Sequence, residues 1–481
     1  MQRQTTFPRF SHPWRWLAAG ALLIALSQLR FGIGLLAWVA PVPFLRYLRQ
    51  RGGGWRSWLA LSAAAYAGWA AAVFKIVTAP VPAALAPAFA LPMAAGFVLP
   101  MAAWAWLRPR AGEPLALIAY AATVALVEAV GGVVGPLGTW GALAHTQAGD
   151  LALLQLASVT GAAGVGFVVA LVGATIEAAT ARAVGGRAIA VVAALVAAVH
   201  LGGAIRLSLA SAAGRELVTV AAVGTDSDIS GWPLPPRAVT ERWNRALLHR
   251  TRFAARAGAR LVVWTEAATL VRPADEPAWR DRLRGLARDT GVDLIAAYIV
   301  PLPGEQRYRN QYLFVRADGS IDHVYRKHRP VPGEPAERGT SPMPVVDAGY
   351  SRVAGAICYD FDFPGLVAEQ AERGADLVAL PSSDWRGIDP IHTEMAAVRA
   401  IEQGLSVVRS TRWGLSAGID PWGRMIGRSS AFDSGDRTLL VALPRHRVPT
   451  IYGLLGPWFP VTCALGLVVL AATRRRRIPL S

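Results

Sequence analysis

Long apolar segments separated by short polar stretches fill the first 210 residues and return near the C-terminus. A helix that crosses a bilayer needs about 20 mostly apolar residues, and most of these segments approach that length, although the first two are short. The candidate spans cover residues 16–30, 31–45, 57–79, 86–107, 114–134, 151–179, 187–210 and 452–473. Because many apolar segments follow the first and no small-residue cleavage site is clear, we interpret the first as a membrane span rather than a secretory signal.

The pattern changes between residues 211 and 450, where short apolar runs alternate with stretches whose apolar residues recur at helical spacing. This alternation is typical of an α/β domain. The predicted strands cover 217–223, 261–264, 292–300, 310–315, 321–325, 353–357, 376–380 and 405–410, and the predicted helices cover 237–257, 277–290, 364–373 and 391–403. We therefore expect a membrane domain of about seven transmembrane helices (1–210), an α/β domain (211–450), and a last span with a basic tail (451–481).

The composition agrees with a membrane protein, because 53% of the 481 residues are hydrophobic and only 17% are charged. The net charge of +17 is concentrated in the apolar parts. Residues 211–450 hold 31 basic and 28 acidic residues, whereas the rest of the chain holds 18 basic and 4 acidic ones. We find no basic stripe with interleaved aromatic residues, so the charge indicates membrane topology rather than nucleic-acid binding.

Arginines follow the even-numbered spans. They are Arg46, Arg49, Arg51 and Arg56 after the second, Arg108 and Arg110 after the fourth, Arg182 and Arg187 after the sixth, and Arg474 to Arg477 after the eighth. The segments after the third and fifth spans, 78–86 and 135–150, contain no lysine or arginine. Under the positive-inside rule both termini are cytoplasmic, and seven crossings place residues 211–450 on the extracytoplasmic side.

Four ionisable residues lie within or beside the predicted spans: Arg30, Lys75, Glu128 and Glu177. Such residues inside a membrane are often functional, but long side chains near the end of a span can also extend to the interface. We favour the second interpretation for Arg30 and Lys75, and the sequence assigns Glu128 no role.

Three reactive residues each stand just past a predicted strand of the α/β domain: Glu266, Lys327 and Cys358. Active sites of open α/β sheets gather at the carboxyl ends of strands. A thiol nucleophile needs a base to take its proton and a cation to stabilise the oxyanion. We therefore expect Cys358 to be the nucleophile, Glu266 the base and Lys327 the oxyanion-stabilising cation. Lys327 is one of only two lysines in the chain.

Each of these residues also has a structural explanation. Free cysteines are among the most buried residues, and the only other cysteine, Cys463, lies in the last apolar segment, so a disulfide with it is unlikely on geometric grounds. Glu266 could be an acidic residue at a helix N-terminus, and Lys327 could be a surface cation. The shared position of all three just past strands favours the catalytic interpretation.

Several motifs resemble the nitrilase superfamily. VVWTEAAT, VYRKHRPVPGEP and GAICYDFDFP are similar to its Glu-Lys-Cys motifs, and LVALPSSDW and HTEMAAVRAIEQ to its later strand and helix. A nitrilase-like domain between seven upstream spans and one downstream span resembles the bacterial apolipoprotein N-acyltransferase family. LLAWVAPVPFL and PLGTWGALAHTQ, in the membrane part, also look like that family.

The resemblance implies an αββα sandwich on the extracytoplasmic side of the bacterial inner membrane. It implies that Cys358 takes an acyl chain from a phospholipid as a thioester and passes it to the α-amine of a diacylglyceryl lipoprotein, with Glu266 as base and Lys327 as oxyanion stabiliser. It also gives supporting roles to Asn310, Glu334, Tyr359 and Asp360, although Asp360 stands where the family usually has glutamate. No metal or cofactor is implied, and we expect a monomer.

Two other functions are compatible with parts of the sequence. The first is a membrane-anchored amidase, or another C–N hydrolase, with the same Glu-Lys-Cys triad. The second is a transporter or scaffold whose α/β domain only binds a ligand. The second leaves the triad unexplained, and the spans contain few ionisable residues and no clear internal repeat.

Overall fold

The computed structural model describes residues 13–212, 216–229, 232–433, 435 and 437–475. Its N-terminal part is helical, with α1 (Trp14–Ser27), α2 (Gly34–Ala37), α3 (Val42–Arg51), α4 (Trp55–Phe74), α5 (Ala86–Ala111), α6 (Glu113–Val134), α7 (Leu151–Leu154), α8 (Ala157–Thr160), α9 (Ala162–Thr180) and α10 (Gly186–Ala212). Among the described helices, α4, α5, α6, α9 and α10 are long and apolar enough to cross a membrane. These helices agree with the prediction of a membrane protein.

Two of the spans predicted in this part are not continuous helices. The second, expected at 31–45, is replaced by the short α2 and by α3, which begins after Pro41 and runs on to Arg51. The sixth, expected at 151–179, is divided into α7, α8 and α9, and Gly161 separates the last two at φ +73°. Glycine is the residue that adopts a left-handed conformation without strain, so it commonly ends a helix.

Arg46, Arg49 and Arg51 lie inside α3 and Arg56 lies on α4, and the first two are paired with glutamate carboxylates. Arg46 Nε lies 2.7 Å from Glu177 Oε1, and Arg49 Nη2 lies 2.6 Å from Glu177 Oε2 and 2.7 Å from Glu113 Oε1. Glu177, on α9, is fully buried. A buried carboxylate is tolerated when cations and hydrogen bonds surround it, so this cluster joins α3, α6 and α9.

Lys75 follows α4 and takes part in packing between helices. Its ammonium donates to the carbonyl oxygens of Ala25 and Gln28 at 2.7 and 2.6 Å. These carbonyls lie at the end of α1, where the last turn leaves acceptors without helical partners. The side chain therefore links α4 to the end of α1.

The rest of the chain contains two six-stranded sheets. The first has the order β12-β1-β2-β3-β4-β5 and the second β11-β10-β9-β8-β7-β6. The strands are β1 (Leu217–Val223), β2 (Leu261–Trp264), β3 (Asp293–Pro301), β4 (Tyr308–Val315), β5 (Ile321–Arg326), β6 (Val345–Asp347), β7 (Arg352–Gly355), β8 (Leu377–Ser383), β9 (Ser406–Arg412), β10 (Leu415–Ile419), β11 (Met425–Ser430) and β12 (Thr438–Pro444).

The two sheets pack face to face and helices cover their outer faces. One apolar core joins Val220, Tyr312 and Ala354 between the sheets, and a second core joins the outer face of the first sheet to α11 (Arg237–Arg256) and α12 (Glu276–Thr290). Helices α13 (Pro364–Glu372) and α14 (Ile391–Gln403) pack on the second sheet. The predicted αββα sandwich beside a helical membrane part is confirmed. Strands β6, β10, β11 and β12 were absent from the sequence prediction.

The segment expected as the eighth span is also broken. It forms α15 (Ile451–Leu455) and α16 (Trp458–Arg475), separated by Gly456 at φ +62°. The last residues of the basic tail, from Arg476 onward, lie outside the described residues.

The loop after α6 lies between the membrane part and the sandwich, directly against the segment that begins at Cys358. Tyr359 Oη donates to Pro136 O at 2.7 Å, and the backbone N–H of Thr139 donates to Asp362 O at 3.2 Å. Farther along, Trp385 Nε1 donates to Ile76 O at 2.7 Å. These contacts place the candidate nucleophile at the junction with the membrane helices.

Candidate active site

Glu266, Lys327 and Cys358 come together between the two sheets. Glu266 follows β2 in the first sheet, Lys327 follows β5 in the same sheet, and Cys358 follows β7 in the second sheet. Their exposed fractions are 3%, 2% and 3%. The backbone N–H of Glu266 donates to Ser382 O at the end of β8, which joins the two sheets at this point. The sequence prediction that the three residues stand past strand ends agrees with these positions.

The ammonium of Lys327 lies between two carboxylates. Nζ is 2.8 Å from Glu266 Oε1 and 2.7 Å from Glu334 Oε2. Asn310 Nδ2, on β4, donates to Glu266 Oε1 at 2.7 Å and to Glu334 Oε1 at 3.0 Å. Burial alone would lower the pKa of Lys327, but the charges of Glu266 and Glu334 outweigh it and raise that pKa well above its ordinary value. The lysine is therefore a fixed cation.

Glu334 is the second partner of this cation. Burial would raise the pKa of its carboxyl, but Lys327 and the hydrogen bonds from Asn310 and the Val331 N–H lower it below its ordinary value. The carboxylate therefore stays ionised and balances the ammonium. Both of its oxygens accept hydrogen bonds, Oε1 from Asn310 and Oε2 from Lys327 and the Val331 N–H.

Glu266 keeps one oxygen free. Oε1 accepts from Lys327 and Asn310, whereas Oε2 is buried and accepts no hydrogen bond from the residues that the structure describes. A carboxylate oxygen without a donor is available to accept a proton. This arrangement fits the expected role of a general base.

Cys358 begins a short 3-10 helix, Cys358–Asp362, in an uncommon conformation. Its φ is +50°, which non-glycine residues rarely adopt and which is found at active sites. Its Sγ lies 3.4 Å from Ser383 O. Burial, followed by the nearby Glu266 carboxylate, raises the pKa of the thiol well above its ordinary value, while Lys327 opposes the shift. The resting residue is therefore a neutral thiol that needs a base when it attacks.

Tyr359 and Asp360, the two residues after Cys358, make hydrogen bonds to the segments that surround the site. Tyr359 holds the loop of the membrane part through Pro136. Asp360 is fully buried and accepts hydrogen bonds from the backbone N–H groups of His328 (3.0 Å) and Arg329 (2.6 Å), and from Tyr325 Oη (2.8 Å). It thus fixes the chain that leaves Lys327. The family that the sequence resembles usually has glutamate at this position. The aspartate side chain is one methylene shorter and still reaches these donors.

A narrow apolar cavity opens from Cys358 toward the membrane helices. Its lining includes Ile76 after α4, Phe89 and Met93 on α5, and Leu137 and Trp140 on the loop after α6. A second cavity, among the membrane helices, shares Met93, Leu137 and Trp140 with the first. The thiol therefore faces a mostly apolar space that lies next to a second cavity inside the membrane part.

Four further charged residues lie beside Cys358, and the sequence prediction missed them: Asp362, Asp384, His392 and Arg409. Asp384 accepts from Arg409 at 2.8 and 3.0 Å, and the two ring nitrogens of His392 lie 2.7 Å from Asp384 and 3.0 Å from Asp362. Asp362, Asp384 and His392 lie within motifs quoted above for the family resemblance, but the four residues come from separate parts of the chain. The sequence therefore gave no sign that they meet beside Cys358.

The comparisons with known proteins agree with both parts of the chain. Residues 169–451 match the carbon-nitrogen hydrolase family, and residues 20–175 match the apolipoprotein N-acyltransferase N-terminal domain. The apolipoprotein N-acyltransferase of Bradyrhizobium diazoefficiens is 31% identical over 406 residues, which cover 75% of this chain and 73% of that protein. The chain belongs to the apolipoprotein N-acyltransferase family.

Other similar proteins cover less of the chain. The apolipoprotein N-acyltransferase of Rhodopseudomonas palustris is 32% identical over 257 residues, 46% of each protein. A solved variant of the Nesterenkonia AN1 amidase, from the nitrilase superfamily, is 23% identical, covers 48% of this chain and 92% of that chain, and gives a TM-score of 0.39. Membership of the apolipoprotein N-acyltransferase family makes this chain an acyltransferase with a nitrilase-like fold.

Proposed function

We propose that this protein moves an acyl chain from a phospholipid to the N-terminal amine of a diacylglyceryl-cysteine lipoprotein, through a thioester on Cys358. The observation that carries the proposal is the apolar cavity between the thiol and the membrane helices, lined by Met93, Leu137 and Trp140. An acyl chain that lies in this cavity would leave its ester carbonyl beside Sγ. The relatives named apolipoprotein N-acyltransferase support transfer of an acyl group to an apolipoprotein.

The first half-reaction would form the thioester. Glu266 Oε2 accepts the thiol proton as Sγ of Cys358 attacks the ester carbonyl carbon, and the new oxyanion is stabilised by the ammonium of Lys327. When the tetrahedral intermediate collapses, the bond between the carbonyl carbon and the glycerol oxygen breaks. That oxygen takes the proton from Glu266, and the lysophospholipid leaves. Glu266 is then an ionised base again.

The second half-reaction would use the same groups. The uncharged α-amine of the lipoprotein attacks the thioester carbonyl, and Glu266 accepts a proton from the attacking nitrogen while Lys327 again stabilises the oxyanion. Collapse of the intermediate breaks the C–S bond, and the sulfur of Cys358 takes the proton from Glu266. The products are an amide and the resting thiol.

Exclusion of water would separate this transferase from an amidase with the same triad. A thioester exposed to water hydrolyses, so a transferase must keep water away until the amine arrives. The buried thiol and the apolar wall formed by Ile76, Phe89 and Leu137 support this requirement. A small polar amide substrate would make few favourable contacts with such an apolar wall.

The proposed reaction places the α/β sandwich on the extracytoplasmic side of the membrane, with both termini in the cytoplasm. The distribution of arginines supports this orientation, because the loops after the third and fifth predicted spans contain none. The junction between the sandwich and the helices would then lie at the outer surface of the bilayer, where both lipid substrates are found.

The function can be tested with purified protein in detergent micelles containing phospholipid and a synthetic diacylglyceryl-cysteine peptide. We expect the peptide to gain the mass of one acyl chain when its α-amine is free, and an otherwise identical peptide with an acetylated α-amine to gain none. Release of free fatty acid without modification of the peptide would instead indicate a hydrolase and would contradict the proposal.

A further inference from the structure

A second charged cluster lies beside Cys358, separate from Glu266 and Lys327. It consists of Asp362, Asp384, His392 and Arg409, none of which is more than 6% exposed. Cys358 Sγ, a carboxylate oxygen of Asp384 and a ring nitrogen of His392 all lie within 4.8 Å of one another. His392 also lines the same cavity as Cys358. The charges of this cluster therefore act on the sulfur at short range.

The hydrogen-bond geometry indicates that His392 is doubly protonated. Nδ1 lies 2.7 Å from Asp384 Oδ1, and Nε2 lies 3.0 Å from Asp362 Oδ1. A neutral imidazole has one nitrogen with a lone pair and no hydrogen, and that lone pair would face a carboxylate oxygen at contact distance. Arg409 Nη2 also lies 2.9 Å from Nδ1 and could donate to a neutral ring there, but Asp384 Oδ1 is nearer to Nδ1 and already accepts from Arg409 Nη2 at 2.8 Å. Protons on both ring nitrogens therefore give the more favourable set of contacts, and we take the ring as an imidazolium.

The surroundings of the ring support this state. Burial opposes the positive charge, but the carboxylates of Asp362 and Asp384 outweigh it and raise the pKa of His392 to about 9. Burial would likewise raise the pKa of Asp384, yet Arg409 and His392 lower it to about 2. Trp140 Nε1, from the loop of the membrane part, donates to Asp362 Oδ2 at 2.8 Å.

The charges of the cluster itself balance only when His392 is protonated. Within the cluster, two cations face two carboxylates. Other ionisable groups near this cluster or the thiol include Glu266, Lys327 and Tyr359 on the catalytic side and Arg412 at the end of β9. Asp389 before α14, Arg399 on α14, and His145 on the segment that precedes α7 also lie near the cluster. Loss of the proton from His392 would leave the cluster with one uncompensated negative charge beside the sulfur.

We propose that His392 is a positioning residue that sets the reactivity of Cys358 through its charge, by cancelling a carboxylate that would otherwise oppose formation of the thiolate. The inference deepens the proposed function, because it assumes that the thiol is the nucleophile. One elementary charge about 5 Å away, at an effective dielectric constant of about 20, shifts an ionisation by about two pKa units. We therefore expect changes of tenfold or more in the reactivity of the thiol.

The test measures alkylation of Cys358 by iodoacetamide, in the Cys463→Ala background so that one cysteine remains. At pH 7.5, His392→Gln should react at least about tenfold more slowly than the parent protein. The double variant His392→Gln/Asp362→Asn removes one cation and one anion, so its rate should return to within about threefold of the parent rate. His249→Gln, at an exposed position on α11, is the matched control.

The pH dependence separates charge from structure. The ratio of the parent rate to the His392→Gln rate should fall as the pH rises through about 9, where the imidazolium loses its proton. A ratio that does not change with pH, an unaltered His392→Gln rate, or a double variant as slow as His392→Gln would each overturn the proposal. Thermal unfolding of each variant confirms that it is folded. Alkylation reports on the thiol even if no acyl chain is transferred, so failure here and failure of the proposed function are distinguishable.

Discussion

Replacement of Lys327 by methionine should reduce the rate of acyl transfer by at least about a thousandfold. Loss of one oxyanion-stabilising donor alone lowers kcat by about a hundredfold to a thousandfold. In this site the loss of activity is larger, because the ammonium also separates the carboxylates of Glu266 and Glu334. Its Nζ lies 2.8 Å from Glu266 Oε1 and 2.7 Å from Glu334 Oε2. Without it, two buried carboxylates share Asn310, and one must take up a proton. The general base is then impaired together with the oxyanion site.

The matched control is Arg326→Met, which removes a cation one residue earlier in the chain. Arg326 pairs with Glu337 at 3.4 Å in a partly exposed position, where an ion pair contributes little. We expect this variant to transfer acyl chains at a rate within about twofold of the original. The measurement is the initial rate of acylation of the lipopeptide, with thermal unfolding as the check on folding. A folded Lys327→Met protein that keeps a tenth of the activity would contradict the role given to Lys327.

Replacement of Glu266 by glutamine should lower the rate of thioester formation by about a hundredfold to ten-thousandfold, the usual contribution of a general base. The amide oxygen of glutamine can still accept from Lys327 and Asn310, so the geometry of the site is kept. The change falls on the free Oε2 position, which would carry an amide NH₂ in place of a proton acceptor. The experiment is therefore selective for proton transfer.

Single-turnover acylation by a phospholipid gives the rate of this step directly. Glu337→Gln, which makes the same chemical change at the partly exposed partner of Arg326, should leave that rate unchanged. If Glu266→Gln forms the thioester at the original rate, Glu266 is not the base and the assignment of the triad fails.

Much of the fold and the triad could be predicted from the sequence because both depend on local patterns. The apolar runs that form β1, β2 and β3 are continuous, and their positions agree with the structure to within about a residue. Glu266, Lys327 and Cys358 come within three residues of the ends of β2, β5 and β7, so a strand prediction also places them. Strands β10 and β11 were missed because LSAGI and MIGRSS contain small and polar residues instead of an apolar run.

Features that depend on distant contacts could not be predicted. Arg49 is indistinguishable by sequence from a loop arginine, and only the fold brings it to Glu113 and Glu177. The same holds for the cluster around His392, whose members come from four elements. The broken spans depend on single residues such as Gly161. A side chain at this position would collide with the ring of Tyr452, a distant residue whose proximity the sequence does not show. The apolar cavity at the thiol also depends on the loop of the membrane part.

The most direct test of the proposed mechanism is the intact mass of the purified protein after incubation with a phospholipid of defined acyl chain. We expect a mass gain of one acyl chain that hydroxylamine removes, that the diacylglyceryl-cysteine peptide removes as it becomes acylated, and that Cys358→Ala lacks. Absence of any adduct in folded protein, or an adduct that persists in Cys358→Ala, would contradict a thioester on Cys358 as the intermediate of acyl transfer.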